Sequence, residues 1–377
     1  MPRALLPACG LTIAALAGTG WCLAGKIRFE ALAAASGRVT PARDDVRFVG
    51  LSPGQAQLLA VGDQPALSKP ELYGVAWPGG VGYLGAAAAV AGAVVTRPLT
   101  VTSGSAPRVG QLAALERAYF LGDVEVALGL PVEHVAVPGP LGPLPAWFFP
   151  GRGRTFVIGV HGQNGTRKDV LRVVDVVHRV GFPALAVTYR NDLGTTPDPS
   201  GYLRHGQTEW RDIEAAVRWS LAHGARNVVL AGQSMGGGVV AAFLKYSPLA
   251  PVVARVLFDA PMLDLRAVVD YQVARHCTPV LGRALAPLVW TAERIAAVRF
   301  GVDWSAIDYL SETTWLKVPA LVTHGGDDTR VPVSLSATLK ERRPSLVTLE
   351  VFPGAGHLES WNIDRARYAS LVESFLG

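Results

Sequence analysis

Residues 228–240 read VVLAGQSMGGGVV: an apolar run, then Gly232-Gln233-Ser234-Met235-Gly236, then a segment of small residues. The run Val228, Val229, Leu230, Ala231 suits a strand buried on both faces, and Gly237, Gly238, Val239, Val240, Ala241 and Ala242 suit a helix packed closely on a sheet. The G-x-S-x-G spacing between them has a mechanical meaning. A serine on a sharp strand-to-helix turn needs glycine two residues before and two after it, so that neighbouring backbone passes without a Cβ clash. Such a turn lifts the hydroxyl off the sheet edge and aims a helix N-terminus at it, which makes Ser234 a candidate nucleophile.

The alternation continues in both directions. Upstream, strand patterns at 156–160 and 184–188 alternate with helix patterns at 170–180 and 209–222; downstream, strands at 252–258, 320–323 and 348–352 alternate with helices at 334–342 and 364–376. Strands separated by helices of this length predict a parallel sheet covered on both faces, an α/β fold. A hairpin of 132–137 and 144–149, around the Pro- and Gly-rich 138–143, opens this larger domain, 132–377. The mainly helical insertion at about 262–315 sits where a lid can cover a site.

A serine nucleophile needs a base, a group that orients the base, and donors for the developing oxyanion. His357 follows the last strand at the glycine-rich bend 352–357 and can reach back to Ser234. Asp328 follows the preceding strand and can hold the imidazole in its productive tautomer. Asp259, after the strand that follows the Ser234 helix, is the alternative acid, and the adjacent Asp327 reads as a loop or capping residue. For the oxyanion, the turn 161–165 places the backbone N–H of Gln163 with that of Met235, and His161 reads as a structural hydrogen-bonding residue. The order Ser, Asp, His is the one expected when the serine sits on such a turn.

On these residues, together with Tyr189-Arg190-Asn191-Asp192 and Thr208 to Asp212, the part from 132 to 377 resembles the alpha/beta hydrolase superfamily. It is similar to its lysophospholipase-like and serine-aminopeptidase-like subgroup and to membrane-anchored bacterial members. The resemblance implies a mostly parallel sheet of about eight strands and a Ser-His-Asp mechanism without a cofactor. It leaves the substrate open, because one fold of this kind carries many chemistries. The expected activity is cleavage of an acyl ester, of a small-molecule or lipid-like substrate. A serine peptidase or amidase of the same fold, and a hydrolase-like protein that only binds, are the alternatives.

The N-terminal third is different in kind. Residues 4–25 carry no charge and are flanked by Arg3 and by Lys26 and Arg28, long enough as a helix to cross a bilayer. They are expected to be a single-pass anchor, with a cleaved signal segment and secretion as the competing reading. Charge does not set the orientation, because Arg3 and the terminal amine balance Lys26 and Arg28. Residues 27–107 read as a small strand-rich module, with alternation at 46–49 and 57–61, two short strands within the uncharged 72–96, and a Ser/Gly/Pro linker at 102–107. The spacing of Leu112, Leu115, Ala118 and Tyr119 predicts a connecting helix within 108–131.

Over all 377 residues the formal charge is +5, but the basic residues are scattered and never interleave with aromatics in a dense run, so no nucleic-acid partner is expected. Of three cysteines, Cys9 and Cys22 lie in the apolar N-terminus, which leaves Cys277 alone in the folded part. The eight histidines are dispersed and no Cys/His cluster has zinc spacing, so no metal is expected.

Overall fold

The computed structural model describes residues 19–34, 44–61, 65–69, 71–275 and 279–377. The larger sheet contains β8 (Glu133–Gly139), β9 (Gly142–Phe149), β10 (Thr155–Val160), β11 (Ala184–Val187), β12 (Asn227–Gln233), β13 (Val253–Asp259), β14 (Ala320–Gly325) and β15 (Val347–Phe352). Their order is β15-β14-β13-β12-β10-β11-β9-β8, with β10 to β15 parallel and the hairpin β8 and β9 antiparallel at one edge. Successive side chains on a strand point to opposite faces. Phe156 and Ile158 of β10, Val228 and Leu230 of β12 and Val256 and Phe258 of β13 face one apolar layer; Val157, Val229, Ala231 and Leu257 face another. Helices Trp210–Ala222 and Met235–Tyr246 bury apolar residues in the first layer, and Leu171–Arg179 and Arg365–Leu376 in the second.

The strand register brings the loops that carry the candidate residues together. Val160 pairs with Gly232, Gln233 with Asp259, Asp259 with Thr323, and Gly325 with Phe352. The loops after β10, β12, β13, β14 and β15 therefore leave one carboxyl edge of the sheet, where parallel α/β sheets build their sites.

A buried ion pair ties the loop after β11 to the next helix. Arg190 meets Asp212 as a fork, Nε to Oδ2 at 2.7 Å and Nη2 to Oδ1 at 3.0 Å, and its Nη1 reaches Asp198 at 3.2 Å. Both partners are buried, so removing one strands a charge. Arg190→Met is expected to lower the unfolding free energy by about 3–5 kcal/mol, measured by urea denaturation; a change below ~1 kcal/mol would contradict this reading of the pair.

The second sheet is an antiparallel barrel-like module of β1 (Val46–Ser52), β2 (Gln55–Ala60), β3 (Tyr73–Trp77), β4 (Gly80–Leu84), β5 (Ala89–Ala91), β6 (Val94–Gly104) and β7 (Leu112–Glu116). Its order is β2-β1-β7-β3-β4-β6-β5, closed by pairing of β2 with β6. Phe48 packs edge-on to Trp77, with Val46, Leu58, Val75 and Leu115 around them.

Between residues 72 and 131 the structure departs from the sequence expectations. The stretch expected as a helix from Leu112 is the strand β7, because Ala113 and Leu115 alternate inward and both β1 and β3 pair with it. The i, i+3 spacing of Leu112 and Leu115 is that of one helix face, but Ala113 and Leu115 also stand two apart as on one face of a strand, and long-range pairing decides between them. Tyr119 then takes φ +63°, which ends any regular element. Helix within 108–131 is confined to Val124–Leu128, capped by Asp123. The module's sheet thus extends to Glu116; β6 takes in the first residues of the expected linker, ending at Gly104, and the 72–96 stretch supplies β3, β4, β5 and the start of β6.

Of the proposed anchor, residues 4–18 lie outside the described residues. Residues 19–27 are helical and continue as a π-helical turn, Arg28–Leu32. Among the described residues, no helix is long and apolar enough to cross a membrane.

Candidate active site

Ser234 stands between β12 and the helix Met235–Tyr246 with φ 51° and ψ −119°, a conformation a non-glycine residue adopts only when its surroundings hold it. Those surroundings are specific. Ser234 N–H donates to Asp259 C=O at 3.0 Å, and Ser234 C=O accepts from Met262 N–H and Gly237 N–H, both at 2.9 Å. A Cβ on Gly232 would lie 2.7 Å from Gly236 O, and one on Gly236 would lie 2.3 Å from Val160 O. Both flanking glycines are thus required by close backbone approach, the reason the motif needs them.

Ser234, His357 and Asp328 meet across the sheet edge. His357 Nδ1 lies 2.7 Å from Asp328 Oδ2, and its Nε2 lies 3.0 Å from Ser234 Oγ. With Nδ1–H donating to the carboxylate, the Nε2 lone pair faces the hydroxyl and can accept its proton. Burial pulls the His357 imidazole below its ordinary value and outweighs the upward pull of Asp328, which leaves the ring neutral and ready as a base.

Burial alone would raise the Asp328 carboxyl, but hydrogen bonds from His324 and His357 and from Val331 N–H hold it well below the usual carboxylate range. Its Oδ1 accepts from Arg330 N–H at 2.7 Å and Val331 N–H at 2.9 Å. His324, in β14, stands behind this carboxylate. Its Nε2 faces Val331 O at 3.0 Å and Asp328 Oδ2 at 3.3 Å, while Nδ1 accepts from the Ser336 hydroxyl at 2.8 Å.

The two other aspartates are placed elsewhere. Asp259 is buried and accepts from Thr323 Oγ1 at 3.1 Å and Ser360 Oγ at 3.4 Å; burial pushes its carboxyl up against the pull of Arg172. Asp327 is exposed, with its N–H on Ala355 O.

Beside the serine, a Cβ on Gly162 would lie 3.0 Å from Ser234 Cβ, so the 161–165 turn sits directly against it. Met235 begins its helix, where the first N–H groups lack intrahelical acceptors. His161 supports this turn. Its Nδ1 faces Gly162 O at 2.9 Å, its Nε2 faces Asp192 at 2.8 Å, and the ring stacks on Tyr189. Burial opposes its protonation, yet Asp192 and the hydrogen bonds prevail and raise it, which suits a ring with two acceptors.

Two segments flank the site. The Gln163 amide donates to Glu30 O at 2.7 Å and Ala31 O at 3.2 Å, Asn164 Nδ2 donates to Ala33 O, and Leu203 N–H donates to Leu32 O. Between β13 and β14 the chain forms helices Leu265–Arg275 and Pro279–Phe300. From the first, Tyr271 Oη donates to Asp328 O and the Gln272 amide to Thr329 O and Arg330 O.

Residues 157–371 match the Alpha/beta hydrolase family. No curated protein matches the chain. Among solved structures, an esterase of Pyrococcus furiosus is similar at 22% identity and a TM-score of 0.52, over 68% of this chain and 94% of that one. An esterase from Exiguobacterium antarcticum is 17% identical, with a TM-score of 0.47, over 65% of this chain and 99% of that one. At such identity the first likeness speaks for the fold, the alpha/beta hydrolase fold, and not for a substrate.

Proposed function

The chain belongs to the alpha/beta hydrolase family, and on that premise we propose that it is a serine hydrolase that cleaves acyl esters through Ser234, His357 and Asp328. The observation that carries the reading is the unbroken hydrogen-bonded line from Asp328 through His357 to Ser234, 2.7 Å and 3.0 Å long in its two links. His357 accepts the Ser234 proton as Oγ attacks the acyl carbonyl, and Asp328 stabilises the imidazolium that forms. The oxyanion rests on the N–H groups of Gln163 and Met235. Collapse breaks the ester C–O bond, His357 returns the proton to the departing alkoxide, and a water activated by the same ring hydrolyses the acyl-enzyme.

The helices Leu265–Arg275 and Pro279–Phe300 act in this reading as the lid, since the first is fastened to the loop that carries Asp328. In this reading the residues that precede the packed helix, from residue 4 to 18, hold the chain at the membrane and make a lipid-like ester the favoured substrate class. The helix at 19–27 packs on the second lid helix, with the Arg299 guanidinium 3.9 Å above the Trp21 ring.

One comparison tests ester chemistry and anchoring together: p-nitrophenyl esters of rising chain length and the matching anilides, assayed on the full chain and on a chain lacking residues 1–18. Esters are expected to be turned over at least ~100-fold faster than anilides, a barrier difference of about 3 kcal/mol. The shortened chain is expected to leave the membrane fraction while keeping activity on short esters. Faster turnover of the anilides would replace the esterase reading with an amidase one, and a full chain found in the soluble fraction would remove the anchor.

A further inference from the structure

The loop that carries His357 is held from outside the hydrolase domain. At its start, Lys69 Nζ donates to Gly354 O at 2.9 Å. At its end, Leu72 N–H donates to Asn362 O at 2.9 Å, and the Asn362 amide donates to Leu72 O at 2.6 Å and Arg117 O at 3.1 Å. In the middle, Arg117 Nη1 donates to the carbonyl of His357 itself at 2.5 Å. Tyr119 and Phe120 pack their rings on the buried Trp361, at 5.1 Å and 5.7 Å between centroids. Every one of these partners lies in the barrel or in the turn that leaves β7, outside the stretch 157–371 that matches the family.

The middle contact falls where the backbone most needs support. Leu358 has φ 60°, a left-handed conformation that costs a branched side chain about 1–2 kcal/mol. The carbonyls on either side of its α-carbon are both fixed by guanidinium groups, that of His357 by Arg117 and that of Leu358 by Arg172 at 2.6 Å. Arg117 is itself anchored through its own carbonyl to Asn362, so the arginine and the loop grip each other. The imidazole projects from the peptide that Arg117 holds, and it must stay within hydrogen-bond reach of Ser234 Oγ.

We propose that Arg117 is a positioning residue for His357, and that the barrel is the brace that sets the histidine loop over Ser234. The inference rests on the reading of Ser234, His357 and Asp328 as the catalytic set. Misplacing a reacting group by about 1 Å costs roughly 10²-fold in rate, so the brace acts on kcat more than on KM. It acts also through charge. The groups facing His357 are Asp328 and Arg330 after β14, Asp259 after β13, Ser234 after β12 and Arg117 from the barrel side, while Glu359 on its own loop accepts from Gly356 N–H; the Arg117 and Arg330 charges disfavour the imidazolium. Loss of the Arg117 charge raises the His357 value, so the acid limb of kcat/KM moves to higher pH.

The test compares Arg117→Gln and Arg117→Lys with the wild-type chain on one short ester, from pH 5 to 9. For Arg117→Gln, kcat is expected to fall at least ~10-fold with KM within about a factor of two, and the acid limb to shift upward; Arg117→Lys, which keeps the charge, is expected to leave the limb in place with an intermediate kcat. Wild-type kcat and an unmoved limb in Arg117→Gln would overturn the proposal. Should Arg117→Gln not fold, Arg117→Lys decides alone, and a wild-type kcat there would overturn it. If the wild-type chain is not labelled on Ser234 by a fluorophosphonate, the functional reading itself fails; labelled wild type with an unaffected Arg117→Gln removes only the brace.

Discussion

Ser234→Ala is expected to lower kcat for short p-nitrophenyl esters by about 10⁶-fold, the loss that follows removal of a serine nucleophile in subtilisin, with the fold intact. The reason is local. Ser234 Oγ is the only group within reach of His357 Nε2 among its hydrogen bonds in the described residues, at 3.0 Å, and the elbow that presents it is held by backbone contacts to Asp259, Met262 and Gly237, not by the hydroxyl. Removing Oγ therefore removes the attacking atom and leaves the turn in place. Circular dichroism and thermal unfolding of the variant check the second half of that statement. Turnover within about a hundredfold of wild type would assign the nucleophile elsewhere.

Asp328→Asn is expected to lower kcat by about 10⁴-fold, the loss found when the corresponding aspartate of a serine protease is made an amide. The amide keeps the size of the side chain but removes the charge that stabilises imidazolium, and it can present N–H to Nδ1, which favours the wrong tautomer. The geometry separates Asp328 from its rivals. Only Asp328 has a hydrogen bond to His357 among the three aspartates, whereas Asp259 receives the hydroxyls of Thr323 and Ser360, and Asp327 is exposed. Asp259→Asn and Asp327→Asn are expected to cost far less in kcat. A larger loss for Asp259→Asn than for Asp328→Asn, on one ester and with all variants folded, would overturn the assignment.

What could be read from the chain alone was what local sequence controls. Gly232 and Gly236 announce a tight strand-to-helix turn because each sits where a Cβ would strike backbone within a few residues in sequence or on the neighbouring strand. The loop that ends in Asp328 follows an apolar strand whose burial shows directly in its composition, and the loop that ends in His357 follows a strand buried only at its ends, Val347 and Phe352, before a glycine-rich bend. The barrel was less legible for a physical reason. Strand β7 finds its partners at Val46 and Gly74, far away in sequence, and its short run carries a helix-like spacing beside its strand-like ones. Arg117 left no signal at all, since its contact with His357 spans 240 residues and one arginine among many has no pattern. Only the fold shows the imidazole of His324 beside Asp328.

In the proposed mechanism Ser234 is made nucleophilic by His357, and covalent capture measures that property most directly. The full chain is treated with a fluorophosphonate at neutral pH, digested, and the modified peptide identified by mass spectrometry, alongside Ser234→Ala and His357→Gln. The expected result is one stoichiometric adduct on Ser234, absent from Ser234→Ala and strongly slowed in His357→Gln. An adduct on another residue, or a folded wild-type chain that takes up no probe, would contradict it.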